Sequence, residues 1–329
     1  MPKVSVIITT YNRPHLLPRA IESARAAGTN VEIIVVDDAS KDQTANVCKN
    51  FYDIRYVRAE RNYGVAGARN LGILASRSDY LCFLDDDDVR LPQSLDIQRE
   101  ALASTADAGF VYGQMLVSDQ DGKIEAGICP PTCPQGDLFW DLLERNFIPC
   151  GSVLFRKDCL SRVGLLHEPA PGIDDWDLWV RLAELYPVAA VQQPVVIWRQ
   201  PTLLSGQGSS NTVHLLSLAG DLLRRRWLQL PRALNAPPQR RRETWRRFSK
   251  NVSDQLVWEA TRGFITGDLR HASKSVLTAF RLHPSAIVGT ALKWSRASTL
   301  RTLLLADWSH EGLTSAKMHF KEIRTGQCN

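Results

Sequence analysis

The sequence predicts an α/β fold, a largely parallel sheet flanked by helices, followed by a mainly α-helical region. Three observations carry this. Runs of β-branched and aliphatic residues alternate with helical patterns through the first part of the chain. Three of those runs end in polar clusters: residues 9–13, Asp37 with Asp38, and residues 85–88. In an open sheet of parallel strands such ends share one edge, where ligands bind. Beyond residue 211, leucines at helical spacing and clustered arginines replace the strand-like runs.

Residues 4–9 read as the first strand, and Asn12 with Pro14 as the start of a helix that buries Leu16, Leu17, Ala20, Ile21 and Ala24. Residues 31–36 form the second strand, with Ser40 as the cap of a helix running to about residue 50. A third strand at 54–57, a polar turn at 60–64 and a helix at 65–76 lead to the run at 80–84, which suits a strand covered on both faces. No Gly-x-Gly-x-x-Gly follows the first strand, so the pattern does not support a dinucleotide site. A helix is expected from Pro92 to about Ala103, then a strand at 109–117 and a hairpin through residues 119–122 into 123–126. Next come a helix at 137–145, a strand at 152–155 and a short helix at 157–163 ended by Gly164. A helix beginning at Asp174 turns Trp179, Leu182 and Leu185 to one side, and strands follow at 188–191 and 195–198. The Gly- and Ser-rich loop 200–211 divides a domain at 1–210 from a basic helical domain at 211–329, with helices expected from 212 and near 250–266 and 268–282.

Four adjacent carboxylates, Asp85, Asp86, Asp87 and Asp88, repel one another and have no evident structural use. On an extended chain Asp85 and Asp87 point one way, Asp86 and Asp88 the other. Two converging carboxylates can hold a hard divalent cation, Mg²⁺ or Mn²⁺, the alternative being a solvated acidic turn. Asp174 and Asp175 open a helix, where anions are favoured, and capping is their simplest reading.

The residues resemble family 2 glycosyltransferases. The resemblance rests on Val4-Ser5-Val6-Ile7-Ile8-Thr9-Thr10-Tyr11-Asn12-Arg13, Val36-Asp37-Asp38-Ala39-Ser40, and Asn62-Tyr63-Gly64 with Ala68-Arg69-Asn70. Phe83-Leu84-Asp85-Asp86-Asp87-Asp88 resembles that family's Asp-x-Asp motif, and Asp174-Asp175-Trp176-Asp177-Leu178-Trp179 its Glu-Asp motif; together these span roughly residues 3–200. The resemblance implies a GT-A fold, a nucleotide-diphosphate sugar donor with UDP as default, Mn²⁺ or Mg²⁺, and inversion at the anomeric carbon. Carried over by position, Thr9, Tyr11 and Asp38 line the nucleoside pocket, with Arg13 also on the donor and Asp38 accepting from the base. Arg69 lies near the phosphates, and Asp85 and Asp86 near ribose and metal. Asp87 ligates the metal, with Asp85 beside it, and Asp175 is the catalytic base. Asp174 stands where the family usually has Glu. The Gln-x-x-Arg-Trp motif of processive synthases is missing, which points to transfer of one or a few sugars onto a glycan or lipid-linked acceptor, in cell-surface glycan or polysaccharide biosynthesis. Two other readings use the same residues. Asp85-x-Asp87-x-Val89 fits a haloacid-dehalogenase phosphatase motif, although that motif normally follows the first strand. A non-catalytic metal- or nucleotide-binding module would use the acidic run but leave Asp175 unexplained.

With 44% hydrophobic residues in 329, a sizeable core is available. The first apolar run reads as a strand rather than a secretory signal, and no run approaches the roughly 20 residues that cross a bilayer. The expected location is cytoplasmic or peripheral to the inner membrane face. Seven scattered cysteines, with no completed zinc pattern, are expected to be reduced thiols. Residues 1–210 carry 20 Lys and Arg against 27 Asp and Glu, a net of −7; residues 211–329 carry 20 against 8, a net of +12. Arg224, Arg225, Arg226, Arg240, Arg241, Arg242, Arg246 and Arg247, interleaved with Trp227, Trp245 and Phe248, suit an anionic membrane surface; a solvated face or an oligomer contact is the alternative. Nucleic acid is not expected, since no recognised motif accompanies the charge.

Overall fold

The computed structural model describes residues 4–119, 121–200 and 212–283. The loop expected at 200–211 lies outside the described residues apart from Gln200, as does Gln120 of the expected hairpin turn. The described chain falls into two compact units, residues 143–145 grouping with the second.

The first unit is an α/β layer structure. In order it comprises β1 (Val4–Thr10), α1 (Leu17–Ala26), β2 (Val31–Asp37), α2 (Thr44–Cys48), β3 (Ile54–Arg58), α3 (Gly64–Ala75), β4 (Tyr80–Asp85), β5 (Val89–Arg90) and α4 (Ser94–Ser104). It continues with β6 (Phe110–Ser118), β7 (Ile124–Cys129), α5 (Phe139–Glu144), β8 (Val153–Arg156), α6 (Leu160–Val163), α7 (Asp174–Leu185) and β9 (Val188–Arg199). Among the described residues the sheet has nine strands in the order β3-β2-β1-β4-β8-β6-β9-β5, with β7 on β6. The half that carries the polar strand ends is parallel: Thr10 pairs with Asp37, Thr9 with Asp85, and Asp37 with Arg58. The three polar ends therefore lie side by side on one edge.

Two layers hold this edge in place. On one face α1 packs Leu17, Ala20, Ile21 and Ala24 against Val6, Ile8, Ile33 and Val35. On the other, Trp179 of α7 stacks on Phe110 at 5.8 Å and meets Phe155 at 5.9 Å, while Phe83 lies 5.4 Å from Phe155. Burying a wide aromatic surface fixes α7, and with it the acidic start of that helix, over the middle of the sheet. On this second face α3 comes very close to β1 because residue 72 is glycine: a Cβ there would overlap the Ile7 side chain and press on Val36 at 3.2 Å.

Several local expectations change. Asn12 does not cap α1, which starts at Leu17 with Pro18 in its first turn. Asn12 instead adopts φ 54° and accepts from Lys41 N, while its own N donates to Ser40 Oγ at 2.9 Å. Ser40 is thereby drawn into this loop-to-loop contact, and Asp42 receives the Thr44 N–H at the start of α2. The two strands expected at 188–198 are one strand, irregular in register around Pro194, where Val191 and Val195 close over Gly113.

The second unit is helical: α8 (Thr212–Arg225), α9 (Pro231–Leu234), α10 (Pro238–Thr266) and α11 (Leu269–Leu282). α10 starts earlier than expected and absorbs the arginines at 240–247. Trp227 and Phe248 are core residues here, not surface ones. Arg224 pairs with Asp221 and lies over Trp245, while Arg247 pairs with Glu243. No helix among the described residues is long and apolar enough to cross a membrane.

The close approach at residue 72 gives a direct test of packing. Gly72→Ala should lower the urea midpoint, with a net loss of about 1–2 kcal/mol in unfolding free energy, because overpacking outweighs the roughly 1 kcal/mol that alanine gains in a helix. Adding Ile7→Ala should cost less than its effect in the wild type. A Gly72→Ala protein more stable than wild type would contradict the close approach.

Candidate active site

The acidic strand end is not extended. The chain turns after Asp85, with Asp88 N donating to Asp85 O at 3.1 Å, so the alternation expected for an extended run stops there. Asp85 turns to Arg69, whose Nη2 lies 2.9 Å away. Asp86 and Asp87 instead share Arg13, at 2.8 and 3.1 Å. Asp88 accepts from the Arg199 N–H at 3.0 Å. Burial, and then the neighbouring carboxylates, push Asp87 up and Asp88 well above the usual carboxylate range. Burial likewise pushes Asp86 up to about 7, against the pull of Arg13.

Arg69 joins the two acidic motifs. It is buried, Nη1 donates to Asp174 at 2.9 Å, Nη2 donates to Asp85 at the same distance, and its guanidinium lies over the Phe83 ring at 5.3 Å. Its neighbour Asn70 accepts from Leu166 N and donates to Leu166 O, tying α3 to the loop before α7. The same loop is held by Arg181, which is paired with Asp177 at 2.9 Å and donates to Leu165 O at 3.0 Å. The helix start is thus supported from both sides. Ile173 is the N-cap of α7, without a side-chain cap, so Asp174 serves Arg69 rather than the helix end. Asp175 is half-buried, accepts from Trp176 N at 2.7 Å, and is pushed up to about 7 by burial and then by Asp174.

On the other flank Thr9 is buried beside Asp85, and Tyr11 is exposed. The carboxylate of Asp38 accepts from the N–H groups of Tyr63 and Gly64, at 2.7 and 2.9 Å. Asp37, a polar strand end with no role of its own assigned from the sequence, is fully buried and receives Tyr56 Oη, Arg58 Nη1 and Ser40 N. A second unforeseen feature lies under the acidic turn. Buried Arg90 donates to the carbonyl of Gly151 and to Gln98, and Gln98 donates to the carbonyl of Ser152. The pair holds the 150–152 turn against Asp88. Cys150, in that turn, sits in the field of Arg69 and Asp175, and burial raises its thiol well above its ordinary range.

The residues fit a divalent cation in chemistry. All four aspartates supply hard oxygen donors, Arg13 and Arg69 pair with three of them, and Asp86 Oδ2 is a buried oxygen with no hydrogen-bond partner among the described residues. Among the described residues no three metal-type side chains are already gathered.

Arg69 pairs with two carboxylates at once, and Asp174 is almost fully buried. Arg69→Met should therefore cost about 3–5 kcal/mol of stability, much of it recovered by Asp174→Asn in the same chain. Urea denaturation of the four proteins in this cycle measures the coupling. Additive effects would show that the bridge does not exist.

The comparisons agree with this architecture. The model of the family "Glycosyl transferase family 2" matches residues 5–163. An uncharacterized glycosyltransferase of Rickettsia felis is 33% identical over 195 residues, covering 57% of this chain. This chain spans only 32% of that relative's own length. The Escherichia coli protein WfaP, named as a UDP-Glc:alpha-D-GlcNAc-diphosphoundecaprenol beta-1,3-glucosyltransferase, is 29% identical over 187 residues, 55% of this chain and 70% of its own. The crystal structure of S. aureus TarS 1–349 in complex with UDP-GlcNAc superposes with a TM-score of 0.58 at 15% identity, over 98% of this chain and 92% of that one. With its sheet and this superposition the first unit of the chain has the GT-A fold, and its residues 5–163 are similar to the family 2 glycosyltransferases.

Proposed function

We propose that this chain transfers a single sugar from a UDP-sugar to a hydroxyl acceptor, inverting the anomeric configuration, in the building of a surface glycan or polysaccharide. The observation that carries the reading is the bridge through Arg69. It ties the acidic end of β4 to the start of α7, so that a half-buried carboxylate, Asp175, stands beside a site rich in fixed charge. The donor class is supported by the bound UDP-GlcNAc of TarS and by the donor in the name of WfaP.

Asp175 is the base in this reading. A hydroxyl is a weak nucleophile while protonated, and a carboxylate aimed at it removes the proton as the bond forms. Asp174 is committed to Arg69, leaving one carboxylate to act as base, which suits single displacement. Thr9, Tyr11, Arg13 and Asp38 hold the nucleoside side of the donor, and Arg69 lies by its phosphates. Asp87 and Asp85 would hold Mn²⁺ or Mg²⁺, which supplies charge stabilisation for the departing diphosphate. Asp86 supports that group, and its own charge is partly balanced by Arg13.

Transfer and slow hydrolysis of UDP-glucose and UDP-N-acetylglucosamine, with either cation, test the reading. Failure to bind or turn over any nucleotide sugar would overturn it. Asp175→Asn should reduce turnover by roughly two to four orders of magnitude with donor affinity retained. A base must be ionised, and Asp175 is raised to about 7. The wild-type rate should therefore fall as pH drops through about 7, and the fall should be less steep for the residual rate of Asp175→Asn, in which Asp86 still titrates near 7. Asp87→Asn should abolish the Mn²⁺ dependence of UDP affinity, measured by calorimetry; unchanged dependence would remove Asp87 from the cation.

A further inference from the structure

α11 is a helix with its apolar side turned outward. The face it packs on α10 is made of small residues, with Ala272, Ser275 and Ala279 fully buried. Ser253 of α10 donates to the Ala279 carbonyl at 3.1 Å, and Gly263 lets Ala272 come close. The large side chains lie elsewhere. Leu269 is 63% exposed, Leu277 51% and Phe280 56%, with Val276 between them and Phe264, 55% exposed, in the last turn of α10. Positions 269, 276 and 280 recur at helical spacing, and 277 lies beside them, so these residues form one stripe along the helix.

Basic residues border this stripe. Arg270, Lys274 and Arg281 are exposed, fall together on the helix beside Leu277, and have no ion-pair partner among the described residues. α11 itself contains no Asp or Glu. This contrasts with the arginines of α8 and α10, of which Arg224, Arg240 and Arg247 are paired with acids. On α11, by contrast, three cations with no ion-pair partner among the described residues lie beside exposed apolar side chains.

We propose that this face of α11 docks on an anionic lipid bilayer, Leu269, Val276, Leu277 and Phe280 entering the headgroup boundary and Arg270, Lys274 and Arg281 meeting the lipid phosphates. An apolar stripe with a cationic flank is what such an interface selects. Charge argues against the other occupants. A second copy packed across a two-fold axis would set these three cations against their own counterparts. Residues 284–329 of this chain carry six Lys and Arg against three Asp and Glu, so they too would bring like charge to the face. A bilayer is also where a lipid-linked acceptor resides, although the inference stands apart from the transferase reading.

The test is co-sedimentation of the full chain with vesicles of phosphatidylcholine, alone or mixed with phosphatidylglycerol. The wild type should bind the mixed vesicles and lose binding as salt rises. Leu277→Glu with Phe280→Glu should weaken binding about tenfold or more, and Arg270→Ser with Lys274→Ser should remove the preference for anionic lipid. Both side-chain pairs are exposed, so thermal melting should be unchanged. Equal binding to neutral vesicles, undiminished binding by the apolar double variant, or no binding at low salt would overturn the proposal. So would light scattering that shows self-association in wild type and its loss in that variant, since a second copy would then own the face. A lowered melting temperature in that variant, with no vesicle binding by either protein, would assign the face to residues 284–329.

Discussion

The buried guanidinium of Arg69 is the interaction on which this site depends. A lone charge at that depth would be costly, and so would Asp174, which is almost fully buried. Each makes the other tolerable, and Asp85 adds a second partner on the same side chain. The bridge spans two parts of the chain more than a hundred residues apart, so it does more than stabilise. It sets the start of α7 against the end of β4 and thereby fixes where Asp175 stands. The aromatic stack of Trp179 on Phe110 then keeps the helix from shifting. Packing supplies the rigidity, and the ion bridge supplies the register.

Charge is handled differently at the two ends of the acidic run. Asp85 and Asp174 are answered by a buried arginine, while Asp86 and Asp87 share the more accessible Arg13. Asp88 has only a backbone N–H to meet it in the described contacts, and its ionisation is correspondingly suppressed. The chain thus concentrates more carboxylate than it neutralises, at the one sheet edge where a diphosphate and its counter-cation would bind. A site of this kind accepts strain in its free state that a bound cation and donor would relieve.

Much of this was legible in the sequence because it depends on local pattern. Apolar runs ending in Thr9, Asp37 and Asp85 require only that parallel strands align their carboxyl ends, and the register does so. The motifs at 62–70 and 174–179 were legible through the family resemblance. What could not be read depends on turns and on distant partners. The turn at Asp85 replaces the extended alternation because Asp88 N closes on the Asp85 carbonyl. Asn12 and Ser40 look like helix caps, yet they satisfy each other's loops instead, a choice set by the spacing of β1 and β2. Arg90 carries no sequence signal at all. Its role comes from the Gly151 carbonyl and, through Gln98, the Ser152 carbonyl, distant residues that antiparallel β8 delivers beneath the acidic turn.

The central claim is that one carboxylate base directs a single displacement at the anomeric carbon. Proton NMR of the sugar first released from UDP-α-glucose, or whichever UDP-α-sugar the chain turns over, tests it most directly, before the product mutarotates. The account predicts that the β anomer appears first, and that Asp175→Asn slows its appearance. Release of the α anomer first would mean retention and would contradict the account.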